Sequence, residues 1–455
     1  MAPVGWTSAR NGSAHATGTE HGRTPGTRGV LSRRSFLRAA ALGALAAGPL
    51  SACGSAGGGD RTTLRFYQSK PEVVGYFDEQ IIAPFNQSQN DIRVTHDATS
   101  SLVASLVREA PHDLVCQNYT LEAGSFVSRD VLTDLGDLPE AERIRPDVQE
   151  LVGQYAFPER ATDVLPYSIT AAGVIYNKAL FEEHGVEVPT TRTELLDACE
   201  TFMSAEVTPI YMTFADPWTI QQGLFDYTGG GMVDVAGFYA ELEAAGTEGG
   251  TTSSVSFRER FDPVVASMLE LLPYANPDAP SRAYEQGNTA FAAGEGAMYL
   301  QGPWAIGQIA TANPDLEVGT FPLPATDDPA DLRARVNLDL ALWIPTGAAN
   351  PEAARTFLSY LMTPEVMDTY NVDNLAISPV EDAPQVQDER IEGLGTYVQR
   401  GAFYQGPGTY IPPSIPVGNY LQSLVLSGNG DEFLRTLDAD WHRVAQRTLV
   451  VDDQV

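Results

Sequence analysis

From Leu64 onward the chain alternates short apolar runs with longer segments whose apolar residues recur at helical spacing. Residues 64–68, 92–96 and 113–116 are runs of four or five residues bounded by polar positions, and they read as strands. Between them, residues 73–85 carry Val74, Phe77, Ile81 and Ile82 on one helical face, and 101–110 reads as a second helix. Strand, helix, strand, helix, strand is the rhythm of a parallel α/β sheet. The polar residues just after two of these strands, Gln68-Ser69-Lys70 and Gln117-Asn118-Tyr119, then fall at the carboxyl edge, where open α/β sheets bind ligands.

The pattern continues with a long extended apolar stretch over 164–178 and a helix at 179–184 that Gly185 stops. Thr193 is placed to cap a helix reaching about Met203. Gly229-Gly230-Gly231 follows Tyr227-Thr228 instead of an apolar strand, so it reads as a loop without a phosphate-cradling context. Residues 283–293 are helical, 297–304 a strand ending in a Gly302-Pro303-Trp304 corner, 317–321 and 336–344 strands, and 322–330 a Pro- and Asp-rich connection. Pro351 opens another helix, 407–416 is loop, and two helices through Tyr420 and Trp441 close the chain.

Charge narrows the classes of partner. The chain of 455 residues has a net charge of −31, and its first 52 residues hold six Arg and a single Glu, which leaves the remainder at −36. Such a field repels phosphate backbones and anionic lipid surfaces, so nucleic acid is excluded as a partner. The length fits two lobes of ordinary size. Cys53, Cys116 and Cys199 offer neither an even framework nor a CxxC pair, so no disulfide scaffold and no metal site is legible. Cys116 and Cys199 read as buried free thiols, with a bridge between them as the alternative. No dinucleotide fingerprint, P-loop, zinc-protease helix or nucleophile elbow occurs, and no cofactor is expected.

The N-terminus reads as an address. Residues 1–30 lack a hydrophobic period, and translation starting at Val30 is one alternative. Arg33 and Arg34, followed by Phe36-Leu37, resemble a twin-arginine export signal. The uncharged stretch 39–52 is well short of the roughly 20 residues needed to span a bilayer. Leu50-Ser51-Ala52-Cys53 resembles a lipoprotein box, which makes Cys53 the expected site of diacylation and 54–60 a flexible tether.

Several segments together resemble the extracellular solute-binding proteins of carbohydrate-uptake ABC transporters, the maltose-binding-like family. They are 165–167 with 174–181, Pro189-Thr190 with Glu194-Leu195, 291–304, and 341–345 with 351–353. The similarity covers roughly residues 62–448. It implies an α/β, two-lobed periplasmic-binding-protein-like fold of type II with the ligand cleft between the lobes. By that resemblance residues 1–52 are the signal segment and 53–61 the tether. Lobe 1 takes 62–168 and 331–378, and lobe 2 takes 169–330 and 379–450. It further implies a monomeric, non-enzymatic protein on the outer face of a bacterial cytoplasmic membrane, handing a sugar to ABC permease subunits.

Sugars present hydroxyl rims and apolar C–H faces, so their sites combine aromatic platforms with polar tips. Trp304 matches the family's stacking tryptophan and Trp218 a second platform. Tyr67, Gln68, Asn118 and Tyr119 come from strand ends, Asp339 stands where a carboxylate could hold a hydroxyl pair, and Tyr167, Tyr404 and Tyr420 complete the candidate set. Trp343, between Leu342 and Ile344, reads as packing. Thr170 stands where the maltose-binding pattern has its hinge glutamate, which speaks against maltose itself. Two alternatives remain: a non-sugar solute such as a polyamine, cyclitol or phosphodiester in the same fold, and an exported carbohydrate-active enzyme using a carboxylate pair.

Overall fold

A computed structural model describes residues 61–107, 110–154, 158–250, 255–384, 386 and 388–452. The expected export signal at Arg33 and Arg34, Cys53 and residues 54–60 of the tether lie outside the described residues. Among the described residues, no helix is long and apolar enough to cross a membrane.

Among the described residues, nine strands form the sheet system: β1 (Thr62–Tyr67), β2 (Ile92–Asp97), β3 (Leu114–Gln117), β4 (Leu165–Asn177), β5 (Ile210–Tyr211), β6 (Met298–Gln301), β7 (Val318–Phe321), β8 (Ala334–Trp343) and β9 (Phe403–Gln405). Their order is β2-β1-β3-β8-β4-β6-β5, with β7 beside β4 and β9 beside β8. The opening strands pair in parallel, as the strand–helix rhythm requires, but β3 pairs antiparallel with β8, and β4 antiparallel with β6, β7 and β8. The sheet is therefore mixed and not purely parallel. β8 arrives from the far end of the sequence, a pairing that local pattern does not announce.

β4 is the strand that joins the two halves. Leu165, Tyr167, Ile169 and Ala171 pack in one hydrophobic core with β1, β2, β3 and β8, whereas Ala172 and Val174 pack in a second core. That second core is built on helices Arg192–Ser204, Phe257–Leu271 and Gly430–Asp452. A third, smaller cluster holds Ile175, Phe291, Tyr299 and Ile306. Residues buried on both faces of β4 explain why its sequence reads as a continuous apolar run without alternation.

Several local expectations change. The helix expected to start at Thr193 is capped by Thr191, whose hydroxyl accepts from the Glu194 N–H while the Glu194 carboxylate reaches back to the Thr191 N–H. The triple glycine is helical within Asp226–Met232. Its missing side chains allow close approach: a Cβ on Gly230 would lie 1.7 Å from the Tyr404 ring, and one on Gly231 2.6 Å from Ala325. The Gly302-Pro303-Trp304 corner is the start of helix Pro303–Ala312, with proline in the first turn, where its missing N–H leaves no helical bond unmade. Gly185 stops its helix as expected, at φ +65°. Cys116 and Cys199 are free and buried, one in each of the two large cores.

Candidate functional site

A cavity of about 1250 Å³ opens between the two large cores. One wall is made where β1 and β3 end and the chain turns: Tyr67, Ser69 and Lys70 after β1, Gln117, Asn118 and Tyr119 after β3. This is the carboxyl edge that the strand order makes available to a ligand. β8 forms the floor. Arg335, Asn337, Asp339 and Trp343, at odd positions that share one side of the strand, line the cavity together with Leu338. The opposite wall belongs to the second core and presents Trp218, Gln221, Tyr284 and Trp304.

Each wall is held from behind. Lys70 Nζ donates to both carboxylate oxygens of Asp339 at 2.7 Å, and Asn118 Nδ2 donates to Oδ1 at 3.3 Å. The Gln117 amide oxygen accepts from the Ser69 N–H, tying the two strand ends together. Tyr67 packs its ring 4.9 Å from that of His112, and Tyr119 donates its hydroxyl to the Val152 carbonyl. Both rings are nearly buried.

The aromatic wall is more exposed. Trp218 meets Tyr284 at 4.9 Å in an edge-to-face arrangement, and the Asp216 carboxylate anchors Tyr284 by accepting from its backbone N–H at 2.7 Å. Trp304 donates its indole N–H to Gln301 Oε1 at 3.0 Å, and its ring lies over Gly302, where a Cβ would stand 2.4 Å from it. Glycine, proline and tryptophan thus act as one unit: the first admits the ring, the second starts the helix, the third faces the cavity.

Set into the floor at Arg335 is a buried ion pair. Arg335, 1% exposed, donates from Nη2 to Asp226 Oδ2 at 2.9 Å and from Nε at 3.3 Å. The other carboxylate oxygen of Asp226 accepts from the Gly408 N–H at 2.8 Å. Burial pushes the Asp226 carboxyl up, while Arg335 and the Gly408 N–H pull it back toward the charged form. Two buried donors on cavity-lining residues have no hydrogen-bond partner among the described residues: Arg335 Nη1 and the Trp343 indole N–H. Burial pushes the Tyr284 hydroxyl up to about 12, while a hydrogen bond with Asn288 pulls it back.

Of the ten ligand candidates taken from the sequence, the structure gathers Tyr67, Asn118, Tyr119, Trp218, Trp304 and Asp339 around this cavity. The other four stand off it. Gln68 is fully buried beneath the wall. Tyr167 is equally buried, packed between Phe77 and Tyr370 in the first core. Tyr404 donates to the Asp226 and Tyr227 carbonyls and covers Gly230, and Tyr420 donates to Asp440. Sequence reasoning passed over Tyr284 and Arg335; Trp343, given to packing, is indeed 1% exposed in the first core and also borders the cavity. A signal for the floor was present: polar residues at 335, 337 and 339 alternate with apolar ones in a strand otherwise buried throughout.

A mixed α/β body with two large cores, a cleft at the strand carboxyl ends and a strand passing from one core to the other is the type II solute-binding fold. The sequence profile described as bacterial extracellular solute-binding protein matches residues 69–368, and the chain belongs to that family. It is 25% identical over 58% of its length to an uncharacterized ABC transporter extracellular-binding protein of Pyrococcus horikoshii, of whose length it spans 57%. It is likewise 25% identical over 64% of its length to the multiple sugar-binding protein of Streptococcus mutans, covering 73% of that chain. Among solved structures, RafE of Streptococcus pneumoniae in complex with raffinose superposes with a TM-score of 0.71 at 21% identity, over 84% of this chain and 100% of that one.

Proposed function

We propose that this chain is the substrate-binding component of an ABC importer, that it captures a mono- or oligosaccharide in the cleft between its two cores, and that it delivers the sugar unchanged to a permease. The observation that carries this reading is the facing of two unlike walls across one cavity: Trp218, Tyr284 and Trp304 on one side, and the Lys70–Asp339 pair with Asn118 on the other. Rings take the C–H faces of a pyranose and charged or amide tips take its hydroxyl rim. A ligand touching both walls favours the closed arrangement by its extra contacts there, which is the free-energy source for hinge closure about β4.

Export is expected from the family. The finer proposal is twin-arginine export through Arg33 and Arg34, followed by diacylation of Cys53, which would hold the protein at the outer face of the cytoplasmic membrane; two acyl chains bind a bilayer stably where one binds marginally. Mass spectrometry of the protein extracted from membranes tests it. A diacylglyceryl mass on Cys53 supports the anchor, and a released chain without lipid rejects it.

Binding is tested by calorimetric titration of the soluble chain beginning after Cys53 with raffinose, stachyose, maltotriose, galactose and spermidine, followed by chromatography of the recovered ligand. Saturable binding of a sugar that is recovered intact supports the proposal. Cleavage of the sugar, or binding of spermidine alone, overturns it.

A further inference from the structure

Among the described residues, two cations line the cleft, and each is held in an ion pair. Lys70 is committed to Asp339, with both carboxylate oxygens at 2.7 Å, and Arg335 to Asp226. Two further carboxylates, Glu72 and Glu122, are exposed on the cavity wall and make no ion pair among the described residues. Glu72 is close enough to the opposite wall to contribute to the upward shift of the Tyr284 hydroxyl. The formal charge facing a ligand is therefore that of Glu72 and Glu122 alone, since the two ion pairs cancel. A bound carboxylate or phosphate would meet uncompensated like charge in a partly desolvated site.

Arg335 nevertheless has something to offer. Its guanidinium is fixed by Asp226 on the Nε and Nη2 edge, and Nη1 has no partner although the side chain is 1% exposed and lines the cavity. A buried donor left unpaired is costly, and a ligand oxygen that pairs it recovers that cost. Because Asp226 already neutralises the guanidinium, the oxygen it suits is an uncharged one: a hydroxyl, a ring oxygen or a glycosidic oxygen. From this geometry we infer that Arg335 is a specificity-determining residue that reads an uncharged sugar oxygen through Nη1, and that the paired cations together with Glu72 and Glu122 turn away uronates and phosphorylated sugars. This rests on the sugar-binding reading above.

The test compares one skeleton in two charge states. The tightest-binding sugar among raffinose, stachyose, maltotriose and galactose is titrated against the wild-type soluble chain beside the same sugar oxidised at C6 to the uronate. The uronate is expected to bind about ten-fold more weakly or worse, and the preference to narrow in Glu72→Gln/Glu122→Gln, whose substitutions are exposed and leave the core intact. Arg335→Lys keeps the ion pair with Asp226 but loses the spare N–H of the guanidinium fork, so affinity for the neutral sugar is expected to fall about ten-fold or more. A uronate bound as tightly as the neutral sugar, or a preference unchanged in the double glutamine variant, overturns the exclusion of anions. Undiminished neutral-sugar affinity in a folded Arg335→Lys protein overturns the role of Nη1. Binding of no sugar at all by the wild type would instead remove the sugar-binding reading on which the inference stands.

Discussion

Lys70 and Asp339, 269 residues apart in sequence, meet in a two-point ion pair at 2.7 Å that ties the end of β1 to the middle of β8. The pair stands on the cavity floor, and Asn118 adds a third contact to the same carboxylate. Two donor groups making three contacts to one buried carboxylate fix its orientation at the cavity. Asp339→Asn keeps the shape and removes the charge that orders Lys70 and Asn118. Sugar affinity is expected to drop about ten- to hundred-fold, as for a charge-assisted hydrogen bond worth about 1.5–3 kcal/mol. Calorimetric titration checks this, with the far-ultraviolet spectrum unchanged.

The aromatic wall supplies the second prediction. Trp304→Ala removes a platform whose position is set by Gly302, Pro303 and Gln301. Truncating a central aromatic anchor costs about 2 kcal/mol or more of binding, about thirty-fold in Kd. Trp304→Phe keeps a flat face and is expected to retain most of the affinity. Equal losses in the two variants would show that the indole N–H, not the ring face, is what matters there.

A third prediction concerns packing alone. A methyl group on Gly230 would sit 1.7 Å from the Tyr404 ring, which cannot retreat because its hydroxyl is held by two carbonyls and β9 is in register with β8. Gly230→Ala is expected to destabilise the protein by about 3 kcal/mol through overpacking. Adding Tyr404→Ala vacates the space, so denaturant unfolding of the double variant is expected to show less loss than the two single losses summed.

The fourth prediction follows from Asp438, buried at the start of helix Phe257–Leu271. Burial pushes its carboxyl up to about 6, although it accepts from the Phe257 and Arg258 N–H groups. A carboxyl with a folded pKa above its unfolded value binds more protons in the native state. Its contribution to stability is therefore greatest below about pH 4 and is lost as pH rises through about 6. Relative to Asp438→Asn, the wild type is expected to lose up to about 1.4 kcal/mol per pH unit between about pH 4 and 6. Thermal melts of both proteins across that window measure the difference.

Thiol reactivity gives the fifth. Cys116 and Cys199 are fully buried, and burial pushes both thiols up, that of Cys199 to about 12. The soluble chain that begins after Cys53 is expected to show no reaction with a thiol reagent at neutral pH until denaturant is added, and two equivalents afterwards. Prompt reaction of either cysteine would contradict the packing of its core.

What the sequence made legible depends on how local each feature is. The opening strands and helices are local patterns, and the structure places them within a few residues of where the apolar periods put them. The carboxyl-edge residues Tyr67, Asn118 and Tyr119 follow from those strands by geometry. The β8 floor was harder, because its antiparallel pairing with β3 and β4 joins residues some two hundred positions apart, so nothing near Arg335 says that it faces a cavity. Tyr167, Tyr404 and Tyr420 share the composition of a sugar site without its position, since a tyrosine serves equally to pack a core and to donate to a backbone carbonyl. Tyr284 is the first residue of helix Tyr284–Ala292, whose period marks only its buried face. The triple glycine misled because its role is close packing against Tyr404 and Ala325, which sequence cannot distinguish from a flexible turn.

Small-angle X-ray scattering of the soluble chain, with and without saturating amounts of the best-bound sugar, is the most direct measurement of whether the two cores close on a solute. Closure about β4 predicts a smaller radius of gyration with sugar, and in Trp304→Ala the same decrease only at a sugar concentration raised in proportion to its weaker Kd. An identical scattering profile with the sugar demonstrably bound would contradict it.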